Sequence, residues 1–167
     1  MKVLLLVVLL AALLFASLYA VFTASRPVRL LAIGQRVQHD DFFLSVSALR
    51  RVKRIDDTTA RGTFYVVRIN VENRAKRVPY SWHNTIAYVV DTAGRRYAPD
   101  AAGQRAFDRA ARRQPESEIP AGQSRLYDVV FDLPREAEKP VLQFWDGVLM
   151  GDAFDGVAYA KAKIRLY

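Results

Sequence analysis

Regular alternation of apolar and polar residues in the middle of this chain restricts that region to half-buried β-strands, because successive strand side chains point to opposite faces. The alternation is clearest within residues 63–73, where Tyr65, Val67, Ile69 and Val71 share one face and Arg68, Asn70 and Glu72 share the other. Residues 125–133 repeat the pattern, with Tyr127, Val129, Phe131 and Leu133 opposite Asp128 and Asp132. We therefore expect two strands that each cover a hydrophobic core on one side.

Shorter segments of the same kind follow these two along the chain, with turn residues between them. A turn at 91–94 joins 85–91 to 95–97 and predicts a hairpin, and 141–145 predicts another strand. Alternation at 158–167 predicts a closing strand. Residues 42–55 lose the period near Leu49, which indicates a bulge or a strand break there.

One segment has helical rather than strand periodicity. In 103–113, Ala106, Phe107, Ala110 and Ala111 form a narrow apolar stripe opposite charged residues, so we expect a short amphipathic helix inserted between strands. Many short strands and little helix favour an all-β, two-sheet antiparallel sandwich. A small closed barrel is the alternative, because a barrel also buries every second side chain.

The amino-terminal part of the chain carries a different signal. Residues 3–22 contain no charge and only Ser17 and Tyr19 as polar interruptions, a length that can cross the hydrocarbon core of a membrane. We interpret 1–24 as an uncleaved transmembrane anchor, 25–35 as a linker and 36–167 as the folded domain. A signal sequence that is cleaved, giving a secreted domain, is the alternative.

The flanking charges set the orientation of this segment weakly, since Lys2 on one side faces Arg26 and Arg29 on the other. A single N-terminal anchor followed by a folded domain is the usual plan of an exported, tethered protein. We expect the domain to lie outside the cytoplasmic membrane, in the periplasm or at the cell surface, with a cytoplasmic domain as the alternative.

Four local motifs in the domain resemble a known family. A strand ends in Val71-Glu72-Asn73, a turn runs from Asp91 through Gly94 to Tyr97, Pro120 and Gly122 open a strand, and that strand ends in Phe131-Asp132-Leu133-Pro134. This order, over residues 40–146, resembles the immunoglobulin-like domain of unknown function found in bacterial exported and membrane-anchored proteins, similar to secreted mycobacterial immunogenic antigens. The resemblance implies an immunoglobulin-like β-sandwich, export and a binding or structural role, and it transfers no catalytic residue.

Residues suited to catalysis or metal binding are sparse. The sequence has no cysteine, which excludes disulfides, thiolate metal sites and attachment of lipid through an N-terminal cysteine. The only histidines, His39 and His83, are far apart, and no serine lies in a G-x-S-x-G pattern. Asp146, Asp152 and Asp155 are spaced as turn residues rather than as a calcium loop. We expect no enzyme activity, no cofactor and no metal.

Clustered positive charge is the remaining signal, with a formal net charge of +8. Such a surface attracts polyanions, although basic residues also serve simply to solubilise a domain. An aromatic and polar loop near Tyr80 offers a second contact surface. The predicted binding surface comprises Arg50, Arg51, Lys53, Arg54, Tyr80, Trp82, His83, Arg109, Arg112 and Arg113.

These features together favour a membrane-tethered binding or assembly module of the bacterial envelope. Its expected partners are the membrane, through the N-terminal helix, and an envelope protein, an anionic lipid or a wall polymer. We expect no nucleic-acid partner because the domain is exported. An envelope enzyme acting on a wall polymer and a structural spacer without a ligand are the alternatives.

Overall fold

The computed structural model describes residues 2–24, 28–39, 41–112, 117–144 and 162–167. In chain order its elements are α1 (Lys2–Ala24), β1 (Arg29–Leu31), β2 (Arg36–His39), β3 (Phe42–Ile55), β4 (Thr58–Asn73), β5 (Tyr80–Ser81), a 3-10 turn (Asn84–Ile86), β6 (Ala87–Val90), β7 (Arg96–Tyr97), α2 (Ala101–Ala111), β8 (Glu118–Ile119), β9 (Ser124–Leu133), β10 (Val141–Phe144) and β11 (Ala162–Arg165).

A long hairpin of β3 and β4 organises the first sheet. This sheet has the order β2-β3-β4-β9, and all its neighbouring strands are antiparallel. The two strands with the clearest alternation are neighbours, and they place Val67 opposite Val129. The predicted irregularity in β3 is confirmed as a register shift between Val46 and Ala48, and a second shift follows between Val52 and Arg54.

The second sheet has five strands in the order β1-β11-β10-β6-β7. Its pairings are antiparallel except for β1, which runs parallel to β11. Strands β5 and β8 form a separate two-stranded sheet. The strands thus form separate sheets, which is the predicted sandwich with one short helix rather than the closed barrel.

The main core lies between the two large sheets. Strands β4 and β9 supply the apolar faces expected from their alternation, and Val67, Ile69, Val129 and Phe131 are fully buried there. Leu142 of β10 and Ile164 of β11 close the core from the other sheet. The closing strand predicted over 158–167 is confirmed for its final part, since Ile164 and Leu166 are both buried.

A second, smaller core lies on the outer face of the four-stranded sheet. Phe64, Val66 and Val130 point away from the main core and are covered by Ala106 and Phe107 of α2. The alternation in the sequence assigns this face of β4 to solvent, because its neighbours Arg68, Asn70 and Glu72 are polar. The assignment was wrong at Phe64 and Val66, since the helix buries them.

Two boundaries differ from the sequence interpretation. Residues 29–31, expected within the linker, form β1 and bury Leu31, so the folded domain begins before residue 36. Helix α2 begins at Ala101 rather than at Gly103, because Asp100 accepts a hydrogen bond from the backbone N–H of Gly103 and caps the helix. The first difference comes from pairing of β1 with β11, and the second from the helix cap; neither contact is visible in the periodicity of the sequence.

The N-terminal segment forms the helix α1, with 23 residues. Its side chains are described at residues 7–19 and 21, and the large apolar ones among them are exposed, including Phe15 at 74%. In the part of the chain that the structure describes, no helix meets both the length and the hydropathy of a membrane span. The membrane-spanning role of residues 1–24 stays a prediction.

Candidate functional site

A groove of about 600 Å³ lies between α2 and strand β3, on the outer face of the four-stranded sheet. Its apolar lining comes from Val52 and Val66 of the sheet and from Phe107, Ala110 and Ala111 of the helix. Helix and sheet meet through Phe107, and the helix then presents only small alanine side chains toward β3. Because alanine fills little space, a cleft stays open beside the smaller core.

The helix forms this wall of the groove because its other side is fixed to β9. The side-chain oxygen of Gln104 accepts a hydrogen bond from the Val130 N–H at 3.0 Å, and its amide donates to the Asp128 carbonyl at 3.0 Å. The Asp100 N–H donates to the Val130 carbonyl at 2.8 Å. These contacts occupy the outward backbone groups of Asp128 and Val130, so α2 covers this part of the β9 edge.

Gly103 permits the close approach of helix and sheet. A Cβ at this position would lie 2.8 Å from the ring of Phe64 and 2.9 Å from Val130. At the other end of the helix, Arg109 reaches the β3–β4 turn and bonds Asp57 at 2.9 Å. The hydrogen bond from Thr58 lowers the pKa of Asp57, and the nearby charge of Arg109 lowers it further against partial desolvation. The helix is thus fixed at both ends.

Arginines surround the apolar part of the groove, but they differ in how their charge is balanced. Arg68 forms a two-point ion pair with Asp128, at 2.8 and 3.1 Å, and this hydrogen bonding raises the pKa of the guanidinium. The Arg50 guanidinium lies over the Phe107 ring at 5.9 Å from its centre. Arg54 donates to the backbone carbonyl of Asp56 at 2.7 Å.

Of the three arginines that line the groove, only Arg68 has a carboxylate partner, and Arg50 and Arg54 contact neutral groups. Arg50 contacts an aromatic face and Arg54 a carbonyl oxygen, and neither forms an ion pair with a carboxylate of the described residues. A neutral carbonyl or ring leaves the guanidinium charge uncompensated. The rim can thus attract an anionic group, while the lining offers apolar contact.

The structure brings together only part of the predicted binding surface. Arg50 and Arg54 line the groove, and Arg109 lies close to it through Asp56 and Asp57. Arg112 lies exposed at the C-terminal end of α2, with a left-handed backbone. Arg113 lies outside the described residues.

Two basic residues of the same cluster point elsewhere. Arg51 donates to the backbone carbonyl of Leu166 and lies over the Tyr65 ring, on the inner side of β3. Lys53 falls in the second register shift and donates to the Gly62 carbonyl and the Thr63 hydroxyl, each at 2.6 Å. Adjacent residues of a strand face opposite ways, so a cluster in the sequence does not form one patch.

The aromatic loop lies at the other end of the sandwich. Tyr80 packs against Phe42 at the beginning of β3, with ring centres 4.2 Å apart. Arg50 is eight residues further along that strand, which at about 3.3 Å per residue places the two regions about 25 Å apart. They cannot form one compact site.

Within this loop, the inclusion of Trp82 in a binding surface was wrong. Trp82 is only 3% exposed, stacks on Tyr127 with ring centres 5.1 Å apart, and donates from its indole to Asn84 at 2.8 Å. Tyr80 is half-buried against the main core, and this burial raises the pKa of its phenol, with Tyr127 raising it further. His83 alone of the three is exposed.

Groove residues that the sequence reasoning missed are the small and apolar ones, chiefly Phe107, Ala110 and Ala111. Their helical stripe was recognised, but it was assigned entirely to packing. In the sequence, the drop in side-chain size from Phe107 to the two alanines distinguishes them. The small alanine side chains leave space unfilled beside the C-terminal part of the helix.

The residues of the four family motifs lie elsewhere, and the first and third motifs contact each other. Asn73, the end of the first motif, is fully buried, and its amide donates to the carbonyls of Val78 at 2.9 Å and Ile119 at 3.0 Å. Its backbone carbonyl accepts from the Gly122 N–H at 2.9 Å, within the proline-glycine turn. The first and third motifs therefore hold each other in place.

The second motif closes on itself. The Asp91 carboxylate accepts from the Tyr97 hydroxyl at 2.8 Å, the Arg95 Nε at 2.7 Å and the Arg95 N–H at 2.9 Å. Burial alone would raise the pKa of Asp91, but these hydrogen bonds outweigh it and lower the pKa. This carboxylate therefore stabilises the hairpin of β6 and β7.

The fourth motif holds the start of the long alternating region. Asp132 accepts from the N–H groups of Arg61 at 2.8 Å and Gly62 at 3.0 Å. The acidic residues of the family pattern thus serve the backbone. Among the described residues, no group of three or more histidine, aspartate or glutamate side chains is arranged to hold a metal ion. Asp146, Asp152, Asp155 and Trp145 lie outside that part of the chain.

The fold and the groove define a β-sandwich domain that carries one helix on an outer face. The chain belongs to the family described as "Domain of unknown function (DUF4352)", whose model matches residues 31–155. This confirms the resemblance drawn from the four motifs, and the match begins within β1. No curated protein matches the chain.

Several solved structures share the fold at low sequence identity. The YjhA protein from Bacillus subtilis has a TM-score of 0.58 at 12% identity, and covers 82% of this chain and 99% of its own. MPT63, a secreted protein from Mycobacterium tuberculosis, has a TM-score of 0.54 at 14% identity, with 84% and 99% covered. An uncharacterised β-sandwich protein from Clostridium difficile has a TM-score of 0.52 at 11% identity, with 86% and 97% covered. At such identities the likeness establishes the fold alone.

Proposed function

We propose that this protein is a non-catalytic binding module of the bacterial envelope, tethered to the membrane by residues 1–24, which engages an anionic partner through the groove between α2 and β3. The observation that carries the proposal is the uncompensated pair Arg50 and Arg54 beside an apolar lining. Charge draws an anionic partner to the site, and burial of the lining supplies affinity.

Export and tethering have separate support. The apolar run over residues 3–22 has the length of a membrane span, and the large apolar side chains described in α1 are exposed. MPT63 is described as a secreted protein, and a lipoprotein from Bacillus subtilis, described as putative, shares the fold with a TM-score of 0.50 at 12% identity. That match covers 65% of this chain and 32% of the lipoprotein. These likenesses agree with a domain outside the cytoplasm.

The absence of catalysis is part of the proposal. Both carboxylates that line the groove are paired with arginines, Asp128 with Arg68 at 2.8 Å and Asp56 with Arg109 at 3.8 Å. A general acid or base needs a carboxylate that can reach a substrate proton. The groove contributes attraction and shape rather than chemistry.

Charge reversal at the rim tests the binding role. The tagged full-length chain is purified from detergent-solubilised membranes and compared with Arg50→Glu/Arg54→Glu and with the control Arg77→Glu, whose arginine is exposed in the loop after β4. We expect one partner to co-purify with the wild type and the control but not with the double variant. Equal recovery with all three proteins would contradict the proposed site.

A reporter fusion tests the location of the domain. An alkaline phosphatase that needs disulfides for activity, fused after Tyr167, is active only outside the reducing cytoplasm. We expect an active fusion that stays with the membrane fraction after an alkaline carbonate wash. Activity in the culture fluid would indicate cleavage, and an inactive but intact fusion would place the domain in the cytoplasm.

A further inference from the structure

The second half of β3 has an unpaired edge. Strand β2 pairs with residues 42–45 of β3. The Gly34 N–H donates to the Val46 carbonyl at 2.8 Å at the point where these two segments separate. Beyond the register shift at 46–48, β3 pairs with β4 on one side only. No other described strand pairs with residues 48–54, so their outer backbone edge is open within this part of the chain.

The groove lies beside this same edge. Ala48, Arg50, Val52 and Arg54 line it from β3, and Ala110 and Ala111 line it from α2. A cleft with a free strand edge on one side and a helix on the other is the geometry in which an extended peptide adds to a sheet and places alternate side chains against the helix.

The opposite edge of the sheet is closed. On β9, Gln104 and the Asp100 backbone occupy the outward groups of Asp128 and Val130. Helix α2 thus blocks one edge and borders the other. An extended segment therefore has access to this sheet at β3 and not at the middle of β9.

The charges at the open edge select the kind of segment. Arg50, Arg51, Lys53 and Arg54 all lie within residues 48–54, and their described contacts are with carbonyls, a hydroxyl and aromatic rings. Basic residues on an edge also discourage a second copy of the chain from pairing there. A segment of opposite charge meets no such repulsion.

We propose that an extended acidic segment of a partner protein adds as a strand to the free edge of β3 between Ala48 and Arg54, with alternate side chains in the groove beside α2. The inference rests on the proposed binding function and names its partner chemistry. Lipid head groups and wall polymers have the charge but not a polypeptide backbone, so they cannot complete the hydrogen bonds of a strand edge.

The length of the edge sets the length of the segment. Residues 48–54 extend for about 20 Å at about 3.3 Å per residue, which a heptapeptide matches. Its groove-facing side chains, which are every second residue, would be acidic opposite Arg50 and Arg54 and apolar opposite Ala48 and Val52. The probe is the heptapeptide Glu-Thr-Val-Thr-Glu-Thr-Val, which presents glutamate and valine on one face, with fluorescein at its N-terminus and an amidated C-terminus.

Backbone methylation distinguishes strand addition from charge attraction. N-methyl groups on alternate peptide residues remove the donors of one edge of the peptide and leave its charge unchanged. We expect the parent peptide to bind the full-length protein in neutral detergent, and fluorescence anisotropy measures this binding. One of the two alternate methylation patterns should weaken binding at least about tenfold, while the other is tolerated. Equal binding of both methylated peptides and the parent would overturn strand addition.

Protein variants locate the site. We expect Arg50→Glu/Arg54→Glu to weaken binding of the parent peptide by about tenfold or more, and Arg77→Glu to leave it within about twofold. Thermal unfolding of each variant is measured alongside. Unchanged peptide binding by a folded double variant would overturn the site.

Vesicles separate this inference from the broader proposal. The same proteins are mixed with vesicles of phosphatidylglycerol and phosphatidylcholine in equal parts, and with phosphatidylcholine alone. Vesicle binding that needs phosphatidylglycerol, Arg50 and Arg54, without peptide binding, would overturn strand addition and leave an anionic-partner role intact. Loss of both kinds of binding would overturn both proposals.

Discussion

Asn73 offers a direct test of whether the family motifs stabilise the fold. Its side chain makes three hydrogen bonds within a site fully closed to solvent, donating to Val78 and Ile119 and accepting from the Ala75 N–H at 2.9 Å. Replacement by alanine removes all three and leaves two carbonyls and one N–H without that partner. Few other single side chains join so many segments of this domain.

The size of the effect follows from those contacts. A net contribution of about 1 kcal/mol for each of the three hydrogen bonds predicts that Asn73→Ala lowers the free energy of unfolding by about 3 kcal/mol. With a urea dependence of about 2 kcal/mol per molar, the unfolding midpoint should fall by about 1.5 M. Such a loss is a large part of the about 5–15 kcal/mol that holds a domain together.

The assay is equilibrium unfolding of the full-length chain in urea and a nonionic detergent. Tryptophan fluorescence reports it, because Trp82 is buried in the main core. The matched control is Asn70→Ala, which changes the same residue type on the same strand but on the outer face. We expect the control to change stability by less than about 0.5 kcal/mol. A loss below about 1 kcal/mol for Asn73→Ala, or an equal loss for the control, would refute the reasoning.

Charge provides a second check at the same position. Asn73→Asp places a carboxylate against the Val78 and Ile119 carbonyls, where its pKa is raised because only the protonated form can donate to them. A raised folded pKa means stability that is present at low pH and lost as the pH rises through it. We therefore expect Asn73→Asp to be least stable at neutral pH and to recover partly toward pH 5.

Three further predictions concern other parts of the fold. Gly62→Ala should destabilise by more than about 3 kcal/mol in urea unfolding, because its Cβ would lie 2.0 Å from the Leu133 carbonyl oxygen; a loss under about 1 kcal/mol would contradict this. Since the pKa of Asp91 is lowered, its contribution to the free energy of unfolding is lost as the pH falls below about 4. We therefore expect the melting temperature of Asp91→Asn to depend less on pH in this acid range than that of the wild type. Phe107→Ala should destabilise by about 3–5 kcal/mol and increase hydrogen exchange of the Val130 amide, whereas Ala102→Ser on the exposed side of α2 should leave both nearly unchanged.

The strands could be predicted from the sequence because their alternation of apolar and polar residues reflects one dominant effect, which is the burial of one face. Residues 63–73 and 125–133 each cover the main core, and their alternation alone identified the faces of Val67 and Phe131. The break near Leu49 was also visible, since a bulge shifts every later side chain to the other face. Such features are local, so the pattern of neighbouring residues is enough to predict them.

The position of α2 was not predictable in the same way. An amphipathic stripe indicates that a helix packs against something, but it does not identify the surface it covers. That surface is the outer face of β4, where Phe64 and Val66 interrupt an otherwise polar pattern. The groove follows from this placement, so its residues were found only in part, through the charges of Arg50, Arg54 and Arg109.

Family membership and the proposed ligand binding depend on different residues. Asn73, Asp91, Tyr97 and Asp132 identify the family, and each uses its polar atoms to hold the protein's own backbone or hairpins. None of them lines the groove, whose residues come from β3, β4, β9 and α2 outside the four motifs. A relative can therefore keep the entire motif set and the sandwich while it replaces Arg50, Arg54 and the alanines of α2. Family membership therefore predicts the scaffold, whereas the binding proposed for this chain depends on its own groove residues.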